Sequence, residues 1–337
     1  MAKIPYAKPA LTYTAQLQRL KDRGLHIKND DKALHLLEHL SYYRLSGYWY
    51  PMLKLPKASH QFKPNSTFEN AFKIYRFDRE FKSLIISELE KIEVAIRAKM
   101  IYIMASRHGA FWFNDPALFA NSVWHNSTLA ILNKEYNRSD EDFIKKFKND
   151  YSDPFPPCWM SLEIASFGTL SNFYSNLNPG FDKRDIANYF GLDETTFQSW
   201  LHSMVYVRNV CAHHSRLWNK KLRIAPQVPL NPTNQFISIV TIPTRSASAT
   251  PKLNNEKMYF FLSATIYLLN IINPKHSFKN KLYCLFQKYP NIDVSALGFP
   301  NDWEKELLWN WKKIISSEKL INKFGKYLKD KFESFIS

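Results

Sequence analysis

The chain has 337 residues, 45% of them hydrophobic and 15% aromatic, which is enough apolar material for one large core or two smaller ones. Its 8 glycines are few for a nucleotide-binding α/β fold, and its three widely spaced cysteines form neither a zinc-knuckle pattern nor a disulfide framework. The net charge of +16 favours a polyanionic partner, most often a nucleic acid.

The sequence predicts a cytoplasmic protein with no membrane association. The N-terminus, MAKIPYAKPALTYT, lacks the apolar run of a secretory signal. The most apolar stretch, residues 258–272, is about 15 residues long, whereas a membrane helix needs roughly 20. This stretch therefore predicts a buried helix. The odd number of cysteines agrees with a reducing compartment.

Residues 10–56 are predicted to form a small N-terminal region of short helices. Thr14 is a candidate N-cap for a helix that Gly24 ends, and Asp30 or Asp31 is a candidate N-cap for the next helix. Two helices around a glycine turn resemble a helix–turn–helix, although that pattern is common. One hypothesis is therefore a DNA-binding regulator that uses residues 12–50.

The region from Thr67 to Ser106 has the clearest helical periodicity in the chain, with apolar residues repeating at intervals of three and four. Glu93 and Arg97 are four residues apart and so share a face of this helix. Either they form an ordinary surface ion pair, or the pair is turned inward toward a functional site.

The segments that follow predict further helices. The acidic run at residues 140–142 suits a helix N-terminus better than a metal-dependent nuclease site, because no strand pattern frames it. A helix is predicted over residues 161–170 with its end near Gly168, and Thr195 or Thr196 is predicted to begin another. The prolines in residues 226–254 predict a long loop or a small strand pair, and residues 255–337 predict a helical C-terminal region.

A strongly basic stretch covers the residues between Thr195 and Asn255, which include no aspartate or glutamate. Its cationic side chains are Arg208, Arg216, Lys220, Lys221, Arg223, Arg245 and Lys252. Such a stretch is either a solvated face or a surface for phosphates. We expect RNA binding here, with Arg216, Lys220, Lys221 and Arg223 as the contacting residues.

The segment RNVCAHHSRLWN, which begins at Arg208, carries the side chains best suited to chemistry. On a helix, Asn209 and His213 share a face, and Arg216 follows at the next turn. His213 can titrate near neutral pH, and Arg208 is a permanent bidentate phosphate binder. His214 is expected to point about 100° away from His213, into the core, so the two histidines form no metal site.

These side chains suit metal-independent RNA cleavage, in which a base removes the 2′-hydroxyl proton and a cation stabilises the developing charge. The alternative is that one histidine is an ordinary core residue and Arg208 is a structural ion-pair partner.

The hexapeptide Arg-Asn-Val-Cys-Ala-His resembles the R-x4-H motif of HEPN-domain ribonucleases, and the longer string resembles abortive-infection proteins of the AbiD/AbiF type. Similar segments occur in the same order as in that family: Tyr42–Tyr48, Tyr75–Arg79, Ile92–Arg97 and Pro157–Gly168. The resemblance covers roughly residues 10–225, and the last hundred residues carry no matching motif.

The resemblance implies an all-α fold, with a HEPN-like helical bundle core over residues 57–225 and helical extensions on both sides. It also implies a toxin-like ribonuclease of phage defence that needs no cofactor and no metal. Arg208 would bind the scissile phosphate, His213 would act as general base or acid, and Asn209 would orient one of them. Second-tier candidates are Glu93, Arg97, Glu163 and His214.

Partners also follow from the resemblance. Two R-x4-H motifs usually meet in one HEPN site, and the chain has one full match, so a homodimer is implied. A structured non-coding RNA is implied as a regulator of the toxin-like activity. The rival hypothesis is a non-catalytic RNA-binding module or RNA-regulated scaffold, in which the helix with the R-x4-H motif binds phosphate without cleaving the RNA.

Overall fold

The computed structural model describes residues 5–7, 9–238 and 254–310. Within these ranges the regular structure is helical, and β-type pairing is limited to three isolated bridges. The predicted all-α class is therefore confirmed. No helix among the described residues has both the length and the apolar character that crossing a bilayer requires. Arg245, Lys252 and the predicted helices beyond residue 310 lie outside the described residues.

The α-helices of the described ranges divide between two compact units. In chain order they are α1 (Tyr13–Asp22), α2 (Asp30–Leu40), α3 (Tyr42–Trp49), α4 (Phe68–His108), α5 (Ser122–Arg138), α6 (Asp142–Asp150), α7 (Cys158–Ser161), α8 (Phe167–Asn176), α9 (Phe181–Tyr189), α10 (Glu194–Ala212), α11 (Met258–Ile272) and α12 (Phe278–Lys288). Unit 1 consists of the described residues of Met1–Ser83, Arg216–Trp218 and Leu285–Ile292. Unit 2 consists of those of Leu84–Ser215, Asn219–Cys284 and Asp293–Ser337.

Unit 1 is built on helices α1 to α3 and the beginning of α4. Its apolar core includes Leu20, Leu37, Leu45, Tyr48 and Trp49. The amphipathic periodicity of each of the three short helices places its own apolar residues on one side, so these helices are held by packing rather than by helix propensity.

The ends of the N-terminal helices differ from the predicted ones by one or two residues. The N-cap of α1 is Thr12 and not Thr14, because the Thr12 hydroxyl accepts a hydrogen bond from the Ala15 amide at 3.2 Å. Asn29 caps α2 in the same way, so Asp30 and Asp31 lie in the first turn, where their charges favour the helix N-terminus.

Helix α4 confirms the prediction of a long helix from Thr67 to Ser106. Thr67 is its cap, since the Asn70 amide donates to the Thr67 hydroxyl at 3.1 Å. The predicted apolar stripe is buried with no exposed surface at Phe77, Phe81, Ile85, Leu89, Ile92, Ile96 and Met100.

Unit 2 has a core of packed helices. Helix α10 packs on α8 and α9, and α5 packs on α8. Stacked rings of Phe190 and Phe197, with centroids 4.9 Å apart, fill the space beside α10. Every residue of α11 from Met258 to Leu269 is buried, which confirms the predicted buried helix.

The prediction of one helix over residues 161–170 is wrong. Helix α7 ends at Ser161, and α8 begins at Phe167 behind the N-cap Ser166, whose hydroxyl accepts from the Thr169 amide at 3.2 Å. Because Ser166 caps the N-terminus of α8, Gly168 lies in the first turn of this helix rather than at a helix end.

Two other helix starts follow acidic caps. Helix α10 begins at Glu194, one residue before the predicted Thr195, because Asp193 accepts from the Thr196 amide at 2.8 Å. Helix α6 begins directly after Glu141, in agreement with the interpretation of residues 140–142 as a helix N-terminus.

Candidate active site

The helix that carries the R-x4-H pattern ends inside it. The last residue of α10 is Ala212, and His213 follows as the C-cap, with its amide donating to the Asn209 carbonyl at 2.9 Å. The His214 amide donates to the Cys211 carbonyl at 3.0 Å, and the Ser215 amide donates to the Val210 carbonyl at 3.0 Å. This pair of bonds is a Schellman motif, which fixes the backbone of His213 at the helix terminus.

His214 occupies the left-handed position of that motif, with φ of 54°. The expectation that it points into the core is wrong, because the residue is exposed. The physical reason is that the helix has already ended, so the 100° rotation per helical residue no longer applies.

The polar side chains at the end of α10 face solvent to different degrees. Asn209 and His213 are exposed, whereas Arg208 is half-buried. Arg208 Nη1 lies 3.4 Å from Asn209 Oδ1 and donates a long hydrogen bond to it. This is the contact that joins the Arg208 and Asn209 side chains.

The prediction that Arg216 follows at the next helical turn is also wrong. The segment Arg216–Trp218 belongs to unit 1, where Arg216 Nη1 donates to the Gly47 carbonyl at 2.7 Å. The amides of Leu217 and Trp218 donate to the Asp78 carboxylate at 3.1 and 2.6 Å. From the third residue after His213, the chain is therefore held by one side chain and by two backbone amides.

Three of the second-tier candidates, Glu93, Arg97 and Glu163, lie together in unit 2. Arg97 Nη2 donates to Glu93 Oε1 at 2.9 Å and to the Ala165 carbonyl at 3.2 Å. Arg97 Nη1 lies 3.7 Å from Glu163 Oε2. Arg97 is only 8% exposed, so the inward orientation of the Glu93–Arg97 pair is confirmed and the surface ion pair is excluded.

The charge of Arg208 acts on this cluster. Burial raises the pKa of Glu93, and the positive charges of Arg97 and then Arg208 oppose that rise. Both cations therefore favour the ionised form of Glu93. Arg97 binds this carboxylate directly, and Arg208 acts on it through its charge.

The predicted RNA-binding residues have different surroundings. Arg223 is exposed and Lys220 is half-buried. Lys221 is exposed and forms an ion pair with Glu256, at 2.8 Å between Nζ and Oε2. Arg216 is half-buried and bonded to a carbonyl, as described above. Glu256 is the first acid after the basic stretch, so it compensates part of the charge that the sequence places there.

Asp78, in unit 1, is a residue that the sequence interpretation did not single out. It has no exposed surface, it accepts a hydrogen bond from the Tyr48 hydroxyl at 2.8 Å, and it lies 3.2 Å from Lys82 Nζ. Tyr48 and Asp78 belong to the two similar segments 42–48 and 75–79. These two segments were the signal in the sequence that could have identified Asp78. In the structure, the Tyr48 hydroxyl donates to Asp78, and Asp78 accepts from the backbone of Leu217 and Trp218.

Comparison with known proteins identifies one family over these segments. A family model described as "Abi-like protein" matches residues 35–219, a span that contains Tyr48, Asp78, Arg97, Arg208 and His213. No curated protein and no solved structure matches the chain.

Proposed function

Because the chain belongs to the Abi-like protein family, we propose that it acts in abortive infection, a form of phage defence, as a metal-independent endoribonuclease. The observation that carries this proposal is the group of side chains at the end of α10. An exposed histidine at a fixed helix terminus follows an amide and a half-buried arginine, and the charge of that arginine opposes the burial-driven rise in the pKa of Glu93, the half-buried carboxylate that Arg97 binds.

The proposed reaction is attack of the RNA 2′-hydroxyl on the adjacent phosphate. His213 takes the hydroxyl proton, the 2′-oxygen forms a bond to phosphorus, and the bond from phosphorus to the 5′-oxygen breaks. A protonated imidazole returns a proton to the leaving 5′-oxygen. The products are a 2′,3′-cyclic phosphate and a 5′-hydroxyl. Arg208 stabilises the charge that develops on the phosphate, and Asn209 keeps Arg208 oriented.

Glu93 and Arg97 have a supporting role in this proposal. The charges of Arg97 and Arg208 both favour the ionised form of the half-buried Glu93 carboxylate, which in this proposal helps to orient the two guanidinium groups. Glu163, on the other side of Arg97, completes the cluster. These residues would act through Arg208 and His213 rather than on the RNA.

The proposed partners are RNA and a second copy of the chain. The net charge of +16 supports a polyanionic partner, and the basic residues Lys220, Lys221 and Arg223 follow the site along the chain. The single R-x4-H motif supports a homodimer in which two motifs form one site. We also propose a cytoplasmic location and restraint of the activity by a structured non-coding RNA.

The test is RNA cleavage by purified protein in EDTA. General acid–base groups typically contribute about 10²–10⁴-fold, so His213→Ala should lower the cleavage rate by that factor. His202→Ala is the matched control, since it removes another exposed histidine of α10 and should leave the rate unchanged. A 2′-deoxy nucleotide at the scissile position should block the reaction.

Other outcomes would favour other functions. Cleavage that requires magnesium and leaves 5′-phosphates would contradict the proposed mechanism. RNA binding without cleavage would favour the binding module or scaffold. A DNA-binding regulator has less support, because residues 23–29 connect α1 and α2, longer than the turn of about 3–4 residues in a helix–turn–helix.

A further inference from the structure

The exposed side of α2 presents three side chains with the spacing His-x-x-Glu-His, namely His35, Glu38 and His39. Residues three and four apart on a helix share a face, so all three point the same way. One ligand atom from each residue lies within 4.8 Å of those of the other two. The buried side of the helix is anchored by Ala33 and Leu37, so the backbone under these side chains is fixed.

The two imidazoles are already oriented relative to each other. Their ring centroids are 4.2 Å apart, and the rings are tilted by 36°. His39 Nδ1 lies 2.8 Å from the His35 carbonyl oxygen. A carbonyl can only accept, so His39 Nδ1 carries the hydrogen and His39 Nε2 keeps a lone pair. A hydrogen bond of this kind fixes the tautomer and the ring orientation of a metal-binding histidine.

The third group is the carboxylate of Glu38. Throughout the described ranges, no lysine or arginine forms an ion pair with Glu38. Glu38 is exposed, so its side chain can turn toward the imidazoles without leaving a buried partner unpaired. Two imidazole nitrogens and one carboxylate oxygen form a ligand set that suits Zn²⁺, whereas Mg²⁺ and Ca²⁺ prefer sites made of oxygen ligands alone.

We propose that α2 binds one zinc ion, or a divalent transition metal of similar character, through His35, Glu38 and His39. Water completes the coordination, as it does where three protein ligands hold zinc. The same spacing occurs in zinc hydrolases, where the glutamate acts as a base. In unit 1 the carboxylate is the third ligand and no hydrolytic step is involved. The ion bridges adjacent turns of α2 and so stabilises that helix against unfolding.

The experiment is titration of the full, tag-free chain with zinc chloride in a calorimeter, with circular dichroism to verify folding. The wild type should bind one zinc ion per chain at the site. His35→Ala/His39→Ala should weaken that binding at least tenfold, since loss of even an outer-shell partner typically costs about 10–100-fold. Both histidines are exposed, so the double variant should keep the helical spectrum of the wild type.

Two further variants make the result specific. His60→Asn removes another exposed histidine of unit 1 at a left-handed position that asparagine tolerates, and it should bind zinc like the wild type. Glu38→Gln should weaken binding, and an unchanged affinity would overturn the three-ligand assignment. The proposal is also overturned if the wild type does not saturate up to about 1 mM zinc, or if the double histidine variant binds zinc as tightly as the wild type.

Discussion

The Asp78 carboxylate has no exposed surface, and its charge is balanced by donors from distant parts of the sequence. The Leu217 and Trp218 amides and the Tyr48 hydroxyl donate to it, and Lys82 pairs with it. A buried carboxylate is tolerated only when its oxygens are paired in this way. Removal of the side chain therefore affects several groups at once.

We expect Asp78→Ala to lower the free energy of unfolding by about 3–5 kcal/mol, the usual cost of removing one partner of a buried charged pair. The variant removes the acceptor of the Leu217 and Trp218 amides and of the Tyr48 hydroxyl. Asp78→Asn should cost less, since the amide keeps one oxygen that can accept. Urea denaturation followed by circular dichroism measures both changes.

The control for this comparison is Asp140→Asn, which neutralises an exposed carboxylate whose ion-pair distance to Lys145 is 3.7 Å. It should change stability by less than about 1 kcal/mol. A cost for Asp78→Ala that is as small as that of the control would mean that the segment 216–218 is held by other contacts.

At the scale of elements, the end of α10 depends on one residue with an unfavourable backbone conformation. Left-handed backbone costs an L-residue about 1–2 kcal/mol, and β-branched residues tolerate it least. Glycine or asparagine usually fills this position of a Schellman motif, whereas the chain has His214. The turn that fixes the backbone of His213 therefore contains a residue, His214, that does not favour the left-handed conformation which the turn requires.

We expect His214→Val to destabilise the protein by about 1–2 kcal/mol, because valine is strained at φ of 54°. His214→Gly should be at least as stable as the wild type within about 0.5 kcal/mol, since glycine adopts this conformation freely. Thermal unfolding distinguishes the two. A large loss of stability in the glycine variant would instead indicate that the histidine side chain itself holds the turn.

Helices with strong periodicity were predictable from the sequence, and their ends were less so. The stripe of α4 and the apolar run of α11 specify helices regardless of their surroundings. The ends depend on which of several polar residues acts as the cap, as with Thr12 in place of Thr14. The end of α10 could not be predicted, because periodicity continues past Ala212 and no glycine marks the turn.

The candidate site was only partly predictable for a similar reason. The residue types and the R-x4-H spacing identify Arg208 and His213 along the chain. Whether Glu93 and Arg97 turn inward depends on tertiary packing, which the helical pattern leaves open. The role of Asp78 depends on a backbone amide 140 positions away, and no local pattern encodes such a contact.

At the scale of the whole molecule, one R-x4-H motif per chain leads to a prediction about assembly. We expect a homodimer at micromolar concentration, with specific ribonuclease activity that falls as the protein is diluted below its dimerisation constant. Sedimentation velocity and a dilution series of cleavage rates measure the two quantities. A monomer with full activity at micromolar concentration would show that one motif is sufficient.

The control for that experiment is His213→Ala, which should sediment like the wild type while it cleaves slowly. His213 is exposed and does not belong to the core of the described residues. Truncation of its side chain should therefore leave the dimer intact. A monomeric His213→Ala protein would mean that the histidine acts in assembly rather than in proton transfer.

Unit 1 contains three separate pieces of chain, and this has a consequence for synthesis on the ribosome. The segment that ends at Ser83 emerges first, and the pieces Arg216–Trp218 and Leu285–Ile292 follow much later. At about 5–20 residues per second, translation from Ser83 to Trp218 takes roughly 7–27 s. During that interval the Asp78 carboxylate has none of the amide donors that balance it in the finished protein. A polypeptide released early, before Ile292, lacks a piece of unit 1 even when it already contains His213.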